Sequence, residues 1–406
     1  MQLQTVPTLT TNPAGGGNGA AMALIAPDDA GSPNPGEDPQ RLTTMKAAHV
    51  TDWCDVGTVA DTISFGNVPA PPAPIKSEVV VGVKASAINV DDIACLQDTG
   101  GGGWCFHVAT PEEAKPLVGG CEWAGVVLAV GPDCRRLNVG DRVCGVQDCA
   151  GMAGKKMRGS WAEQTVAPED SICPIPDDVS FVAAAAVGMA AHVAFDMLKR
   201  ATALPAKGGR CLVLGASGGL GTVLLQLLRC RDVYTAAVCS GANAETVQRL
   251  GAGEVVDYTS APFAEQLAGA EKFDVVFDFV GGSDTQRSAV PLLRKGGQFV
   301  TAVGPWQNLG DRQLTCCEWT GWACGLTGKL LGSCCLPCRP YKYKMSMEPL
   351  PLSEENFNAV VVEAGARGEV ALEVPFEEVA FRDALRRVAS RRAGGKVLVN
   401  FESTQG

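Results

Sequence analysis

A glycine-rich turn between two apolar segments constrains this chain more than any other stretch. Residues 211–214 are Cys-Leu-Val-Leu, and residues 215–221 are Gly-Ala-Ser-Gly-Gly-Leu-Gly, followed by an apolar stretch to Leu228. This pattern predicts a short buried strand, a tight turn and a helix. In such a turn, backbone N–H groups and the positive end of the helix face an anion, and glycines let a diphosphate approach. The turn therefore predicts a dinucleotide site, in a variant of the strict glycine spacing.

Further strand-like runs follow the turn at regular intervals. They occupy residues 233–239, 254–258, 274–280 and 298–303, with a helical stretch at 245–250. Strands that alternate with helices at this pitch indicate the α/β class, with a doubly wound parallel sheet. This context favours a dinucleotide site at the turn over an ordinary strand–turn–helix junction.

The end of the second strand bears on the choice of cofactor. NAD sites usually place Asp or Glu there to bond the ribose hydroxyls. Here Ser-Gly-Ala-Asn follows Cys239, and no acid precedes Glu245. This absence favours a 2′-phosphate, and hence NADP(H), with Ser240 as a donor and Tyr258 nearby. The alternative is that Ser240 and Asn243 only cap a helix.

Charge and composition exclude several functional classes. With 406 residues, the chain is long enough for two domains with buried cores. A net charge of −10 without a basic stripe argues against nucleic-acid binding. No apolar run approaches the roughly 18 residues that a membrane span requires. The 17 cysteines are scattered along the chain, which is typical of reduced thiols in a cytoplasmic protein.

The first 44 residues differ from the rest in composition. They are poor in aromatic residues and rich in Gly, Pro, Asn and Asp, which predicts a disordered tail. Arg41 is the only basic residue among them, whereas a mitochondrial presequence is rich in arginine and poor in acids. The cytoplasm is therefore the expected location.

Short strands precede the glycine turn. Strand-like runs begin at Met45, Glu78, Val126 and Trp161, and glycine and proline turns separate them. This pattern predicts a small β-barrel. An Ala-rich helical stretch at 180–198 leads to the glycine turn, and a last strand within 394–401 is expected to return to the barrel.

Six motifs fall in one order along the chain: Gly125-Val-Val-Leu-Ala-Val-Gly131, Val139-Gly-Asp-Arg-Val143, Gly159-Ser-Trp-Ala-Glu163, Gly215 to Gly221, Asp278-Phe-Val-Gly-Gly282 and Gly394-Gly-Lys-Val397. In order and spacing they resemble the medium-chain dehydrogenase/reductase superfamily, specifically its zinc-independent quinone oxidoreductase branch. Within that branch, the segments around Ser240, Tyr258 and 341–400 resemble the reticulon-interacting, mitochondrial-type NADPH oxidoreductases.

The resemblance implies a GroES-like β-barrel catalytic domain split by a Rossmann domain, with the cofactor in the cleft. The expected division is a tail at 1–44, the first part of the catalytic domain at 45–178, the Rossmann NADP-binding domain at 179–371 and the return to the catalytic domain at 372–406. NADPH would be the cofactor, and a quinone or other activated unsaturated carbonyl would accept the hydride. A homodimer and a mitochondrial location are compatible with the resemblance.

The resemblance also implies a set of cofactor-binding residues: Asn89 at the nicotinamide ribose, Ser217, Gly218, Gly219 and Leu220 at the diphosphate, Ser240 and Tyr258 at the 2′-phosphate and adenine, and Val280, Val303 and Asn400 elsewhere. Asp92 matches the structural partner of Asn89, and a helix or turn cap is its alternative role. No catalytic residue is assigned.

The chain departs from the zinc enzymes of the superfamily. Those enzymes need a Cys ligand near position 89 and a His just after the glycines at 119–120, where this chain has Cys121 and Glu122. Catalytic zinc needs three protein ligands, so we expect no metal. In the cysteine-rich segment 316–338, Cys335 and Cys338 form a single C-x₂-C pair, whereas a structural zinc site needs two.

The proton donor is open. Enoyl-reductase relatives carry a Tyr shortly after the Asn, but residues 100–104 contain none. Solvent, His107 and His192 are the alternatives, and His192 is interpreted as a packing residue of the Ala-rich helix. Trp104 and Trp123 either line the substrate pocket or pack in the core.

Three functions are compatible with these features. The first is an NADPH-dependent reductase of quinones or enones, in which the pocket positions the acceptor and the cofactor carries the chemistry. The second is an NADPH-binding redox-sensing or scaffold protein with little turnover. The third, enoyl-thioester reduction, requires a basic patch for a carrier phosphate.

Overall fold

The computed structural model describes residues 43–97, 116–146, 159–205, 207–307, 315–335, 340–346, 354–363 and 365–402. All but the last two residues of the predicted tail at 1–44 lie outside these ranges. Residues 100–104 and His107 also lie outside them. Among the described residues, no helix is both long and apolar enough to span a membrane.

The first part of the described chain is mostly β-structure. Its elements are β1 (Thr44–Val50), α1 (Val59–Thr62), β2 (Ser64–Pro69), β3 (Glu78–Ile88), α2 (Val90–Cys95), β4 (Leu117–Val118), β5 (Glu122–Val130), β6 (Arg142–Val146), β7 (Gln164–Pro168) and β8 (Ile172–Pro174). Alternation of buried and exposed residues along β1 follows the two-residue period of a strand with one face in the core.

The middle part alternates helices and strands: α3 (Phe181–Ala185), α4 (Gly188–Arg200), β9 (Arg210–Leu214), α5 (Gly219–Arg229), β10 (Tyr234–Cys239), α6 (Ala244–Arg249), β11 (Glu254–Asp257), α7 (Phe263–Gln266), β12 (Phe273–Asp278), α8 (Ser283–Ala289), β13 (Leu293–Thr301), α9 (Cys316–Cys335) and β14 (Tyr341–Met345). The last part has α10 (Glu354–Phe357), a π-helical turn (Asn358–Glu363), β15 (Val370–Pro375), α11 (Glu378–Ala389) and β16 (Lys396–Asn400).

Strands β9 to β14 form one parallel sheet in the order β11-β10-β9-β12-β13-β14. The expected doubly wound sheet is therefore confirmed. The strand order reverses between β9 and β12, and the carboxyl ends of these strands border a crevice at such a point. Because helices cover both faces, β9 and β12 are buried along nearly their whole length.

The remaining strands form the barrel-like part. A three-stranded sheet has the order β2-β1-β4, and a larger sheet runs β15-β16-β3-β5-β6-β8 with β7 also paired to β3. Strand β16 pairs antiparallel with β3, which confirms that the last strand returns to the N-terminal part. Helix α11 covers this sheet, and its Phe381 ring meets Trp161 edge to face at 5.1 Å.

Candidate functional site

The glycine turn lies where the sheet order reverses. Gly215 directly follows β9 and has φ +76°, a conformation that L side chains rarely adopt. A Cβ on Gly221 would lie 2.5 Å from the carbonyl oxygen of Gly215, so helix α5 packs against the strand end because this residue is glycine. Gly218 caps α5, and the first N–H groups of a helix have no intrahelical acceptor. The structure thus places Ser217, Gly218, Gly219 and Leu220 at a helix N-terminus suited to an anion.

A short hydrogen-bonded chain links this turn to the end of β10. The Asn243 side-chain amide donates to the hydroxyls of Ser240, at 3.0 Å, and Ser217, at 3.3 Å. Ser240 and Asn243 occupy the N-cap positions of the 3₁₀ turn Gly241–Asn243 and of α6, and neither makes a side-chain capping hydrogen bond there. Tyr258 follows β11, donates its N–H to the Cys239 carbonyl at 3.2 Å, and leaves 55% of its surface exposed.

One carboxylate approaches this corner from the neighbouring strand. A Cβ on Gly241 would lie 2.5 Å from Asp257 Oδ2. Hydrogen bonds from the Thr259 hydroxyl and N–H, at 2.6 and 2.9 Å, lower the pKa of Asp257. The sequence has no acidic residue at the end of β10. The acid near this corner is Asp257, which ends β11 and is hydrogen-bonded to Thr259 in the loop that follows.

A buried acid organises the loops after β12 and β13. Asp278 accepts the N–H groups of Val280 and Gly281, at 3.0 and 2.9 Å, and the Thr301 hydroxyl at 2.8 Å. Burial raises the pKa of Asp278. Thr301 in turn accepts the Val303 N–H at 3.1 Å. The two loops are thereby tied together, with Val280 40% exposed at the crevice.

Asn89 lies between β3 and α2, where it is the N-cap of α2 in a reciprocal capping arrangement with Asp92. The Asn89 N–H donates to Asp92 Oδ2 at 2.7 Å, and the Asn89 side chain accepts from the helix. The capping role of Asp92 is therefore confirmed. Its side chain is only 1% exposed, and this burial raises its pKa to about 6.

A buried ion pair adjoins Asn89. Lys396, at the start of β16, pairs with Glu122, at the start of β5, and also donates to Asn89 Oδ1 at 2.6 Å. Asn89 Nδ2 donates to Glu122 Oε2 at 3.2 Å, and the same oxygen pairs with Lys396. The other oxygen of Glu122 accepts the Met189 N–H at 2.7 Å, at the start of α4. Asn89, Glu122 and Lys396, called the Lys396 network below, thus connect the barrel strands to the helix that leads into the parallel sheet.

The donors near Asn89 do not fit a zinc ion. Glu122 already accepts from Lys396, Asn89 and Met189, and Cys121 Sγ lies 3.6 Å from the Asn89 amide nitrogen. No group of three or more His, Cys, Asp or Glu side chains in the described ranges could hold a metal. Residues 336–339 and the side chain of Cys335 lie outside the description, so the prediction about the Cys335–Cys338 pair stays a prediction.

Asn400 is the predicted site residue that the structure does not bring to the others. It ends β16, opposite Ala85, and its amide donates to Glu373 at 2.7 Å. Because β16 runs antiparallel to β3, its first residue, Lys396, and not its last meets Asn89. Asn400 is four positions after Lys396 along the strand, about 13 Å at the usual rise.

Two further candidates lie in packed surroundings. Trp123 is fully buried in the barrel core, in contact with the position a Cβ on Gly145 would occupy, which supports its packing interpretation. His192 lies in α4, one turn after Met189, with 5% of its surface exposed. Trp104 lies outside the described residues.

Sequence reasoning did not assign site roles to Glu122, Lys396, Asn243 or Asp278. Lys396 belonged to a recognised motif, and a signal was present: a Lys and a Glu each adjoin a run of buried strand residues, where charges are rare unless paired. Asn243 was weighed only as a cap. Asp278 stood at a strand end before two glycines, a position at which a buried acid commonly holds a turn.

Comparisons with known proteins agree with this architecture. Two family models match the chain, the alcohol dehydrogenase GroES-like domain over residues 75–177 and the zinc-binding dehydrogenase over residues 250–399. The chain is 31% identical over 341 residues to NAD(P)H oxidoreductase RTN4IP1, mitochondrial, of Mus musculus, covering 80% of this chain and 82% of that protein.

Two other proteins extend the comparison. Over 233 residues, 56% of each protein, the chain is 33% identical to the NADPH-dependent alkenal/one oxidoreductase, chloroplastic, of Arabidopsis thaliana. A quinone oxidoreductase structure from Coxiella burnetii matches with a TM-score of 0.68 at 20% identity, covering 88% of this chain and 99% of that chain, a likeness of fold. With the ordered motifs, the GroES-like part and the parallel sheet, these matches establish that the chain belongs to the medium-chain dehydrogenase/reductase superfamily.

Proposed function

We propose that this chain is an NADPH-dependent reductase that transfers hydride to a quinone or another activated unsaturated carbonyl, without zinc. At the coarser level, the chain is a nicotinamide-dependent oxidoreductase of the medium-chain type. The single observation that carries the proposal is the crevice where β9 and β12 diverge: a helix N-terminus for a diphosphate adjoins a hydroxyl-lined corner without an acid at the end of β10.

The corner around Ser240 supports the choice of NADPH over NADH. Ser240 and Asn243 offer a hydroxyl and an amide to a 2′-phosphate, whereas an NAD site places a carboxylate at this strand end. Asp257 is the opposing feature, but its carboxylate already accepts two hydrogen bonds from Thr259. The exposed ring of Tyr258 gives the adenine a flat apolar surface.

The residues of this chain act mainly by positioning. Bound NADPH supplies the hydride, and the fold fixes the place of its two ends. The α5 N-terminus would hold the diphosphate through backbone N–H groups, and Asn89 would face the nicotinamide ribose. Val280 and Val303 would offer apolar surface to the cofactor along the crevice. No described side chain is assigned as the proton donor, and solvent serves that role for a quinone.

The relatives support the class of acceptor. The mouse protein is named as an NAD(P)H oxidoreductase and the Arabidopsis protein as an NADPH-dependent alkenal/one oxidoreductase. An α,β-unsaturated carbonyl and a quinone share a conjugated electrophilic carbon that accepts hydride. One of the family models carries a zinc-binding name, and the pairing of Glu122 with Lys396 supports the proposal that this chain works without zinc.

The test is a turnover assay with a panel of quinones, enones and one enoyl thioester, in which NADPH and NADH are compared by the loss of reduced nicotinamide absorbance. Cofactor binding is measured separately by fluorescence. Turnover of quinones or enones with a clear preference for NADPH would support the proposal. Tight NADPH binding without turnover of any acceptor would favour a redox-sensing or scaffold protein, and turnover of the thioester alone would favour enoyl-thioester reduction.

Location and assembly remain predictions. The sequence favours the cytoplasm, and the word mitochondrial in the name of the mouse relative supports the alternative. Fractionation of cells that express the full chain distinguishes the two compartments. Light scattering of the purified protein tests for a homodimer.

A further inference from the structure

We propose that a cavity between α1, α2 and α11, called the three-helix cavity below, binds a small uncharged apolar molecule and is coupled to the cofactor site through α2. The cavity has a volume of about 220 Å³. Its walls are mainly aliphatic and include Val59, Ile93 and Leu385, one from each helix, which are at most 8% exposed. Apolar walls of this kind favour an apolar ligand over water.

The three-helix cavity and the Lys396 network lie on opposite sides of α2. Four residues of α2 and its C-terminal continuation line the cavity: Val90, Ile93, Ala94 and Gln97. Their spacing, i, i+3, i+4 and i+7, is that of a single helix face. Asp92 lies about 200° around the helix from Val90 and accepts the Asn89 N–H instead. The cavity is therefore separate from the proposed cofactor crevice, with α2 between them.

Small residues from all three walls leave the space open. Ala60 lies in α1, Ala94 in α2 and Ala389 in α11, and Gly57 lies just before α1. A Cβ on Gly57 would meet nothing within 4 Å. Protein interiors have few voids larger than a water molecule, because atoms that line a void lose dispersion contacts. A longer aliphatic side chain at any of these positions would close the space, so the sequence leaves room for a ligand here.

Hydrogen bonds hold the walls of the cavity in place. The Arg382 guanidinium of α11 donates to the carbonyl oxygens of Ala60 and Asp61, at 2.7 and 2.9 Å. The Gln97 side chain, at the end of α2, accepts the Gly57 N–H at 2.9 Å. The segment around α1 is thus fixed to α11 on one side and to α2 on the other. A site whose walls are already ordered loses little conformational entropy when its ligand binds.

The charges at the mouth of the cavity are balanced within the protein. Arg386 pairs with Asp61 at 2.7 Å and with Asp383 at 2.8 Å. Arg391 and Asp91 attract each other. A charged ligand would have to displace one of these partners, whereas an uncharged ligand leaves them all in place. Charge complementarity therefore favours an uncharged molecule.

The volume of the cavity indicates the size of the ligand. An apolar cavity of about 150 Å³ accepts benzene, with about six non-hydrogen atoms. On the same scale, a cavity of about 220 Å³ accepts about nine. A medium-chain aliphatic alcohol has this size and no charge, and 1-octanol is the probe of this class. Octanoate and octylammonium have nearly the same body with a negative or a positive charge.

Helix α2 connects the cavity to the cofactor site. A ligand in the cavity would pack against Ile93 and Ala94, and Asn89 is the N-cap of the same helix. A ligand that restrains α2 from one side would hold Asn89 in place for the nicotinamide ribose on the other. Such coupling is reciprocal, so each ligand changes the affinity of the other by the same factor. This part of the inference rests on the proposed NADPH site.

The first experiment measures binding of the three probes to the purified full chain by calorimetry, without nucleotide. We expect saturable binding of 1-octanol, and affinities at least tenfold lower for octanoate and octylammonium. Ala389→Leu fills the mouth of the cavity from an exposed helix position, where the fold tolerates it, and Ala94→Leu fills it from the buried side. Both variants should bind 1-octanol at least tenfold more weakly. Ala323→Leu, at an exposed position of α9, is the matched control and should bind 1-octanol as wild type does.

Three results would overturn the proposed site. They are the absence of saturable 1-octanol binding by wild type, equal affinity for the uncharged and the charged probes, and unchanged 1-octanol binding by Ala389→Leu.

A second titration measures the affinity for NADPH with and without saturating 1-octanol. We expect 1-octanol to tighten NADPH binding about fivefold, the low end of typical coupling between two sites, and Ala389→Leu to remove this effect. Unchanged NADPH affinity in wild type would overturn the coupling. If wild type binds 1-octanol but no nucleotide, the proposed function fails while the cavity site stands. If wild type turns over NADPH but does not bind 1-octanol, the cavity site fails while the proposed function stands.

Discussion

At the residue scale, three buried charged side chains of the barrel gather around Asn89. Asp92 caps the helix that Asn89 begins, and Glu122 and Lys396 bond the two ends of its amide. Each of these groups is costly to bury alone, and together they satisfy one another. The concentration of buried charge at a crevice is typical of a functional site more than of a device for stability.

The raised pKa of Asp92 predicts a particular dependence of stability on pH. Burial raises this pKa from 3.8 to about 6, so the folded protein holds a proton between these values that the unfolded chain has released. The free energy of unfolding therefore falls as pH rises through this window. The side chain of Asp92→Asn still accepts the Asn89 N–H but does not titrate. We therefore expect this variant to lack the decrease of about 1–3 kcal/mol in the free energy of unfolding that wild type shows across the window.

Urea unfolding of wild type and Asp92→Asn below, within and above this pH window checks the prediction. The two curves should converge at the acid end, and the variant should be more stable at neutral pH. Parallel stability profiles across the whole range would contradict the assignment of the fall to Asp92.

The proposed role of Ser240 in the preference for NADPH over NADH can be tested by substitution. Ser240→Asp places a carboxylate where the 2′-phosphate is proposed to bind and where NAD sites usually carry an acid. We expect NADPH affinity to fall at least tenfold, because two anions then meet at close range, while NADH affinity is kept or rises. Fluorescence titration with both cofactors measures the change. Ser64→Asp, on an exposed strand position of the barrel, is the matched control, and an equal loss for both cofactors would argue against this role of Ser240.

At the element scale, two glycines of the turn into α5 have different roles, one in packing and one in the proposed cofactor binding. A Cβ on Gly221 would lie 2.5 Å from the Gly215 oxygen and 2.7 Å from the Ala216 oxygen, both on the backbone. A Cβ on Gly218 would meet its nearest neighbour, the Gly215 oxygen, at 3.4 Å, an ordinary contact, with φ −74°. One glycine is thus required by the fold, and the other leaves room for a ligand.

We therefore expect Gly221→Ala to affect stability and Gly218→Ala to affect NADPH binding. Gly221→Ala should lower stability by about 1–3 kcal/mol, the usual cost of forcing an atom into a packed contact. Gly218→Ala should unfold as wild type does but bind NADPH at least tenfold more weakly, because its methyl group faces the diphosphate position. Thermal unfolding and NADPH titration of both variants distinguish these effects. A stable Gly218→Ala protein with normal NADPH affinity would remove the turn from the cofactor site.

Local pattern explains which elements could be predicted. Strands β9, β10, β11 and β12 each contain a short apolar run that ends at a glycine or polar residue, and the structure places them within one or two residues of the expected bounds. Strand β14 was not predicted as part of the sheet. Among the described strands it lies at the edge of the sheet beside β13, and Lys342 and Lys344 alternate with Tyr341, Tyr343 and Met345 and interrupt the apolar pattern.

At the scale of the whole molecule, the limit of prediction is contact between distant segments. Lys396 and Glu122 are 274 residues apart, and Lys396 and Asn89 are 307 apart. No periodicity along the chain records such a contact, because it depends on the register of β16 against β3. The resemblance supplied the motif that contains Lys396, but the partner of the lysine became visible only from the strand order β16-β3-β5 of the larger barrel sheet.

The same contacts predict how the molecule unfolds when cofactor is present. Glu122 and Lys396 belong to barrel strands, whereas Met189 and Gly219 belong to the helices that flank the parallel sheet, and the Lys396 network joins them. A ligand that binds only the folded chain stabilises it by RT ln(1 + [L]/Kd), about 2.7 kcal/mol at a hundredfold excess over Kd. We therefore expect NADPH to raise the unfolding temperature of both parts together, in a single calorimetric transition.

The double variant Lys396→Met with Glu122→Gln removes the ion pair that links the two parts. In this variant, we expect saturating NADPH to raise the unfolding temperature of the parallel-sheet part alone, so that two calorimetric transitions appear. A wild-type scan that already shows two transitions, with NADPH moving only one, would mean that the barrel and the sheet are not coupled through this network.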